Sequence, residues 1–429
     1  MMARILEVLL VIQVTTSLIF AVLGIYQLLV CIIGLTKKKI SKEYKFKEHK
    51  FMAVIPAHNE EKVIEDIIES LKEQNYKKGY VDIYVIADNC TDKTAQIARD
   101  KGAFVYERFD SEKKTKGYAL EWFFNQILET KPDEYDAFCV FDADNIVSKD
   151  FFKEMNKKLC GGEKIVQGYR DIKNAEDTWV TANYALFYWV MNRCYHYSRY
   201  KLGLSPLING TGFMVSMSVL KEMNGWHSKT ITEDIEISLL SIARGYKIGW
   251  AKDAIVYDEQ PLGFRQSWTQ RLRWSVGHIQ CFKEYFSEIA KQKDLTPTMV
   301  DAGIYIFGMP MLLISIVNFI LTAIVYSLVP YKFFVLNEIL KVISIVTIVG
   351  MALLSILSLI HDKKSLKKIW KGIVTAPAFF FSWTIINIIA FTQKKIEWKP
   401  IEHVKSKKMY EIQWSMIRKW TQSKIDRRK

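Results

Sequence analysis

Apolar residues fall along this chain in two rhythms. Residues 8–35 form one uncharged run, followed at once by Lys37, Lys38 and Lys39. The run is long enough to cross a bilayer with tilt and longer than the apolar core of a signal peptide. It predicts a retained span whose lysine-flanked end faces the cytoplasm. Residues 303–329, 342–360 and 372–392 are three further runs of spanning length. Residues 51–263 instead alternate short apolar runs with amphipathic ones. Strands are expected at 51–56, 81–87, 103–107, 137–141 and 254–257, and helices at 60–72, 91–101, 117–128, 178–201 and 232–243. Strands joined through helices predict an α/β domain with a doubly wound, mainly parallel sheet.

Residues 262–286 read as an amphipathic helix suited to the bilayer interface. The chain thus divides into a transmembrane helix (1–36), a cytoplasmic domain (37–263), an interfacial region (264–300), three membrane segments (301–392) and a basic tail (393–429). The tail carries a conflict. Three crossings after the domain put it outside, against the charge bias, whereas a re-entrant last run, which contains Pro377, keeps it inside. The net charge of +14 lies largely beside the apolar runs, as suits an anionic cytoplasmic leaflet. No nucleic-acid-binding module is recognised, so nucleic acid is not an expected partner. The six cysteines form no CxxC or His/Cys cluster, which argues against zinc and for a reducing compartment.

The candidate chemistry sits at strand ends. Phe138-Cys139-Val140-Phe141 runs into Asp142-Ala143-Asp144, two carboxylates where an open α/β sheet binds ligands. Such a pair suits one hard divalent cation bridging phosphate oxygens. Pro56, Asn59 and Glu60 end the first strand and Asp88 the second, at the same edge. Lys116 opens the next helix, where it fits either a solvated lysine or a cation facing phosphate. Gly210-Thr211-Gly212 allows a close backbone approach. Thr232-Glu233-Asp234 reads as a helix cap followed by acids, or as the site of a general base. Gln270, Arg273 and Trp274 lie within one helical turn and can face one site. The aromatic helix at 178–201 suits packing, with sugar stacking as the other reading.

Together Asp88, Asp142-Ala143-Asp144, Thr232-Glu233-Asp234 and Gln270-Arg271-Leu272-Arg273-Trp274 resemble the ordered motifs of the processive membrane glycosyltransferases of family 2, the last being a QxxRW pattern. This group includes cellulose, mixed-linkage glucan, chitin, hyaluronan and poly-N-acetylglucosamine synthases. The resemblance implies a glycosyltransferase A fold inserted between transmembrane helices of a multi-pass cell-membrane protein. It implies a UDP-sugar donor, a growing polysaccharide acceptor, and Mg²⁺ or Mn²⁺. Pro56, Asn59, Glu60 and Asp88 would hold uridine, and Lys116 and Asp142 the diphosphate. Asp144, with Asp142, would hold the metal. Asp234, beside Glu233, would be the base. Gln270, Arg273, Trp274 and Thr211 would form the acceptor end, with Arg273 steadying the leaving diphosphate. UDP-glucose giving a β-glucan is the first choice, UDP-N-acetylglucosamine the second, and transfer of one sugar to a polyprenyl phosphate the third. Where many relatives have two spans before the catalytic domain, this chain has one. The tail is too short for the cyclic-dinucleotide-binding domain that some relatives carry. Accessory subunits are not legible.

Overall fold

The computed structural model describes residues 2–36, 44–328 and 335–393. In chain order the elements are α1 (Met2–Leu35), β1 (Phe51–Ala57), α2 (Ile64–Lys72), β2 (Val81–Asp88), α3 (Thr94–Asp100), β3 (Phe104–Arg108), α4 (Lys116–Thr130), β4 (Ala137–Val140), β5 (Ile146–Val147), α5 (Phe151–Cys160), β6 (Ile165–Ile172), α6 (Trp179–Val190), a π-helical segment (Met191–Tyr197), α7 (Ser198–Leu202), β7 (Phe213–Ser216), α8 (Met217–Glu222), α9 (Glu233–Ala243), β8 (Ile248–Asp258), α10 (Phe264–Ala290), α11 (Pro297–Leu328), α12 (Val335–His361) and α13 (Trp370–Thr392).

The strands form one sheet in the order β3-β2-β1-β4-β7-β6-β8-β5. β3, β2, β1 and β4 are parallel. β7 runs antiparallel to β4 and β6, β8 parallel to β6, and β5 antiparallel to β8. The sheet is therefore mixed rather than mainly parallel. The sequence pattern does not mark β5, β6 or β7. β5 and β7 are very short, and β6 buries Gln167, Arg170 and Asp171, which interrupt its apolar run. β1 shows the two-residue period of a central strand. Met52 and Val54 enter the core on one face, and Phe51, Ala53 and Ile55 the core on the other.

Strand order reverses at β1 and β4, so the loops leaving β1, β2 and β4 open into one crevice. The loops after β1 and β2 are bonded to each other, which shortens the helices that follow. Glu60 N donates to Thr94 Oγ1 at 2.7 Å and Glu61 N to Asp92 Oδ2 at 3.1 Å. α2 and α3 therefore start at Ile64 and Thr94, not at 60 and 91. The aromatic stretch forms one rod, α6 through the π-segment into α7, capped by Thr178, whose Oγ1 accepts from Thr181 N.

α1, α11, α12 and α13 are long and apolar enough to cross a membrane. α1 runs antiparallel to α11, with Gln13 bonded to Thr322 at 3.1 Å and Tyr26 to Asp301 at 2.6 Å. It runs parallel to α12, where Gly24 meets Thr347 and Leu28 meets Gly350. Two buried arginines tie this bundle to the α/β domain. Arg199 donates to Asp301 at 2.7 Å and Gln27 at 3.2 Å. Arg193 pairs with Asp362 and donates to Gly34 O at 3.3 Å. The basic tail expected at 393–429 lies, beyond Gln393, outside the described residues.

Removing one member of a buried pair leaves the other charge uncompensated, at a cost of about 3–5 kcal/mol. Asp301→Ala should therefore lower the detergent-solubilised protein's unfolding midpoint, and Arg199→Met with Asp301→Leu should recover most of the loss. Thermal unfolding followed by far-UV circular dichroism checks both.

Candidate active site

The crevice holds a cavity of about 860 Å³ that passes from the β1 and β2 ends to the membrane helices. At one end lie Pro56, Glu60 and Asp88. Arg108, at the end of β3, donates to Asp88 Oδ1 at 2.6 Å and holds it in place. Burial pushes the Asp88 carboxyl up, and Arg108 opposes that shift. Asn59 is not part of the wall. It adopts φ +57°, and its Oδ1 accepts from Thr91 N at 2.8 Å, so it pins the two loops together.

β4 ends at Val140, so Asp142 and Asp144 stand on a turn rather than on the strand. Asn145, fully buried, organises that turn. Its Oδ1 accepts from Asp142 N at 3.2 Å, and its Nδ2 donates to Asp144 Oδ1 at 3.1 Å and to Asp258 Oδ1 at 3.0 Å. Thr211, expected at the acceptor end, is buried in this turn instead. Its hydroxyl accepts from Asp142 N at 3.1 Å and donates to Asn145 Oδ1. It braces the turn that carries the acids.

Asp142, Asp144 and Asp258 each offer a carboxylate oxygen within 4.8 Å of the others. Three hard oxygen donors are the set that Mg²⁺ or Mn²⁺ takes. Asp258 was not among the residues expected from sequence. It ends β8 and is followed by Glu259, the same strand-then-acids signal that marks Asp142. Arg170 of β6 offsets its charge, with Nε 2.9 Å from Asp258 Oδ2.

Lys116, the first residue of α4, sits among acceptors. Its Nζ is 2.5 Å from Asp142 Oδ1, 2.7 Å from Gly210 O and 3.3 Å from Glu233 Oε1. Burial would lower its pKa, but the charges of Asp142 and Glu233 outweigh that and raise it. Gly210 has φ +89°, and a Cβ there would touch Asp234 Oδ2 at 3.5 Å and Arg170 Nη1 at 3.6 Å. Those are ordinary contact distances, so it is the left-handed backbone rather than the space that favours glycine.

Thr232 makes no capping bond to α9, contrary to the sequence reading. The segment before the helix is held from within it. The Glu236 carboxylate accepts from Lys229 N at 2.9 Å and Thr230 N at 3.0 Å. Thr232 packs closely on Gly277 of α10, which brings the start of α9 against the far end of the cavity-lining stretch of α10. Asp234 is pushed up to about 7 by burial and by the adjacent Glu233 charge. Gln270, Arg273 and Trp274 line the same cavity from α10. Burial lowers the Arg273 pKa, and the charges of Glu233, Asp142 and Asp234 oppose that. Gln270 Oε1 accepts from Tyr184 OH at 2.8 Å. The Trp274 ring lies edge-on to Tyr184 and tilted against Trp383 of α13, with centroids 6.1 Å away in each case. Arg271 points the other way and donates to Phe379 O and Ser382 Oγ of α13. The α6 aromatics divide between packing and the cavity. Tyr184 packs, while Phe187 and Tyr188 reach the cavity wall.

A mixed α/β sheet thus carries an acid cluster and a lysine at its switch point, where open α/β sheets bind ligands, beside helices of membrane-spanning length. The chain belongs to the family described as glycosyltransferase like family 2, whose family model matches residues 49–277. It is similar to a probable glycosyltransferase of Bacillus subtilis, YdaM, at 28% identity over 260 residues, covering 57% of this chain and 59% of that one. It is similar at 29% over 251 residues to a beta-monoglucosyldiacylglycerol synthase of Nostoc sp., covering 56% and 51%. The match thus spans between half and three fifths of the length of these relatives. The fold is shared with a mannosyltransferase of Pyrobaculum calidifontis solved with GDP-Man and Mn²⁺. The TM-score is 0.56 at 15% identity, covering 92% of this chain and 100% of that one.

Asn145 touches all three acids, and loss of such a supporting group typically costs about 10- to 100-fold in metal affinity. Asn145→Ala is expected to weaken Mn²⁺ binding by that factor, read as free Mn²⁺ by electron paramagnetic resonance.

Proposed function

We propose that the protein is an inverting, metal-dependent glycosyltransferase that uses a UDP-sugar and builds a β-linked polymer at the cytoplasmic face of a membrane. The observation that carries this reading is the meeting of Asp234, Arg273, Lys116 and the acid cluster in one cavity. The residues of that cluster fit a divalent cation, Mg²⁺ or Mn²⁺, held by Asp142, Asp144 and Asp258. When bound it supplies positive charge against the donor's diphosphate. Asp88, Pro56 and Glu60 receive the uridine end, and Lys116 turns from its carboxylate partners to the phosphates.

The transfer needs one proton acceptor and one charge stabiliser. Asp234 takes the acceptor hydroxyl's proton as its oxygen bonds the anomeric carbon. The carbon–oxygen bond to the phosphate breaks, and its electron pair leaves with UDP. Arg273 lies where it offsets that leaving charge. One displacement inverts the anomeric centre, so an α-linked donor gives a β-linked product. Trp274 and Gln270 form the acceptor wall. UDP-glucose, giving a β-glucan, is the leading donor. A second reading, one sugar moved to a lipid acceptor, is favoured by Tyr305 and Met309 of α11 in the cavity wall.

UDP release in membranes, with UDP-glucose or UDP-N-acetylglucosamine and Mn²⁺, tests this. A glucanase-digestible polymer from UDP-glucose is the expected product. Polymer from UDP-N-acetylglucosamine alone reassigns the donor, and a single lipid-soluble product supports the second reading. No UDP release from either donor would overturn the proposal. Asp234→Asn should lower kcat by at least about 100-fold. The active form of Asp234 is the carboxylate, and its pKa is raised to about 7. Protonation below that value removes the base. kcat/KM should therefore be flat above pH 7 and fall about tenfold per unit below it, as a pH profile would record.

A further inference from the structure

α13 has the length and hydropathy of a span, yet it does not behave as the other three do. α1 meets the α/β domain at Gly34, α11 over its first turns and α12 at Asp362. α13 meets it from end to end. Just before the helix, Lys368 Nζ pairs with Glu176 at 2.9 Å. In its first turns Gly372 lies on Ala182, and Thr375 accepts from Asn183 at 2.8 Å. In its middle, Phe379 O and Ser382 take Arg271 at 3.1 and 2.9 Å. In its last turns Asn387 accepts from Ser275 Oγ at 2.6 Å, and Ala390 joins an apolar cluster with Val276 and Ile279, against which Ile231 packs. The partners on α10 advance with α13, so the two helices lie side by side and parallel. Ile231 is three residues from Asp234. Both ends of α13 are thus against the catalytic domain.

A perpendicular span cannot have this arrangement. The helix is 23 residues long, about 34 Å, against a hydrocarbon core of about 30 Å. If it crossed, its last turn would be a bilayer's width from the domain it touches. Its remaining face is apolar: Val374 and Phe381 are 69% and 67% exposed, with Ile385 and Ile388 on the same stripe. The stripe lies opposite the buried face, where Ala390 clusters with Val276, Ile279 and Met309 of α11.

We propose that α13 is not a membrane span. It lies along the bilayer surface beneath the catalytic domain, with Val374, Phe381, Ile385 and Ile388 in the acyl chains and Trp383 and Asn387 turned to the cavity. It delivers the chain, at Gln393, to the catalytic side. The conflict over the basic tail is thereby resolved in favour of the charge bias. The proposal is independent of which sugar or acceptor is used.

The test is depth. Full-length protein carrying Val374→Cys, Phe381→Cys or Ile388→Cys, with Cys90 and Cys160 replaced by serine, is nitroxide-labelled in phosphatidylcholine–phosphatidylglycerol vesicles. Power saturation with oxygen and a nickel chelate reports each label's depth. Val374 and Ile388 are about 21 Å apart along the helix axis. The expected result is similar depth for all three, within one helix diameter. Depths running from one interface through the centre to the other would overturn the proposal, as would exclusion of all three from oxygen, the sign of a second protein copy covering the stripe. Sidedness gives an independent reading on the otherwise unaltered chain. A C-terminal epitope should be reached by protease from the same vesicle face as the catalytic domain, and access from the opposite face would overturn the proposal.

Discussion

Five carboxylates, Asp142, Asp144, Asp258, Glu233 and Asp234, share one half-buried crevice. At an effective dielectric constant near 20, like charges 4 Å apart repel by about 4 kcal/mol per pair. A few such pairs equal the whole stability of an ordinary domain, about 5–15 kcal/mol. The cluster persists because cations reach it from three separate elements: Lys116 from α4, Arg170 from β6 and Arg273 from α10. Asn145 adds neutral donors where cations do not fit. Burial, with the adjacent Glu233 charge, raises the Asp234 pKa to about 7 despite Lys116 and Arg170.

That requirement explains features of the fold that otherwise look arbitrary. Gly210 lacks a side chain so that its carbonyl can take Lys116 beside Asp234. Gly117 lets the start of α4 sit on Ser228 and Glu233, and Gly277 lets α10 sit on Thr232. Each close approach shortens the distance from a charge on one element to its partner on another. β6 can carry Gln167, Arg170 and Asp171 in a buried position because each has a bonded role there.

The membrane helices take part in the same system. Arg271 of α10 is fully buried and spends its bonds on α13, so the face of α10 bearing Gln270, Arg273 and Trp274 is fixed in rotation toward the cavity. Arg199 and Arg193 fix the domain's height against α1, α11 and α12. The catalytic crevice and the bilayer are thereby held in one geometry, which suits an acceptor that meets the enzyme at a membrane.

Much of this was legible in the amino-acid order. Long uncharged runs can only be membrane or core helices, and the strand-then-acid pattern of 138–144 marks a sheet edge, because both signals are local. The parallel half of the sheet follows from such signals, whereas Asp234 and the cavity-facing turn of α10 stand out through the resemblance to family 2, and Lys116 fits two readings from its position alone. β6 and β7 did not, since one buries polar groups and the other is four residues long, and neither makes an apolar run. Asn145 and Arg170 were hidden because their roles depend on neighbours far away in sequence, and Asp258, though it follows a strand as Asp142 does, is tied to the other acids only by the fold. Thr211 and Asn59 show the same limit: a polar residue near a site can face a ligand or brace a loop, and only the tertiary structure shows the bracing bonds that both make. α13 is the limiting case. Hydropathy measures how apolar a helix is, and so fixed its affinity for lipid. Only the contacts of its two ends decide its direction relative to the bilayer.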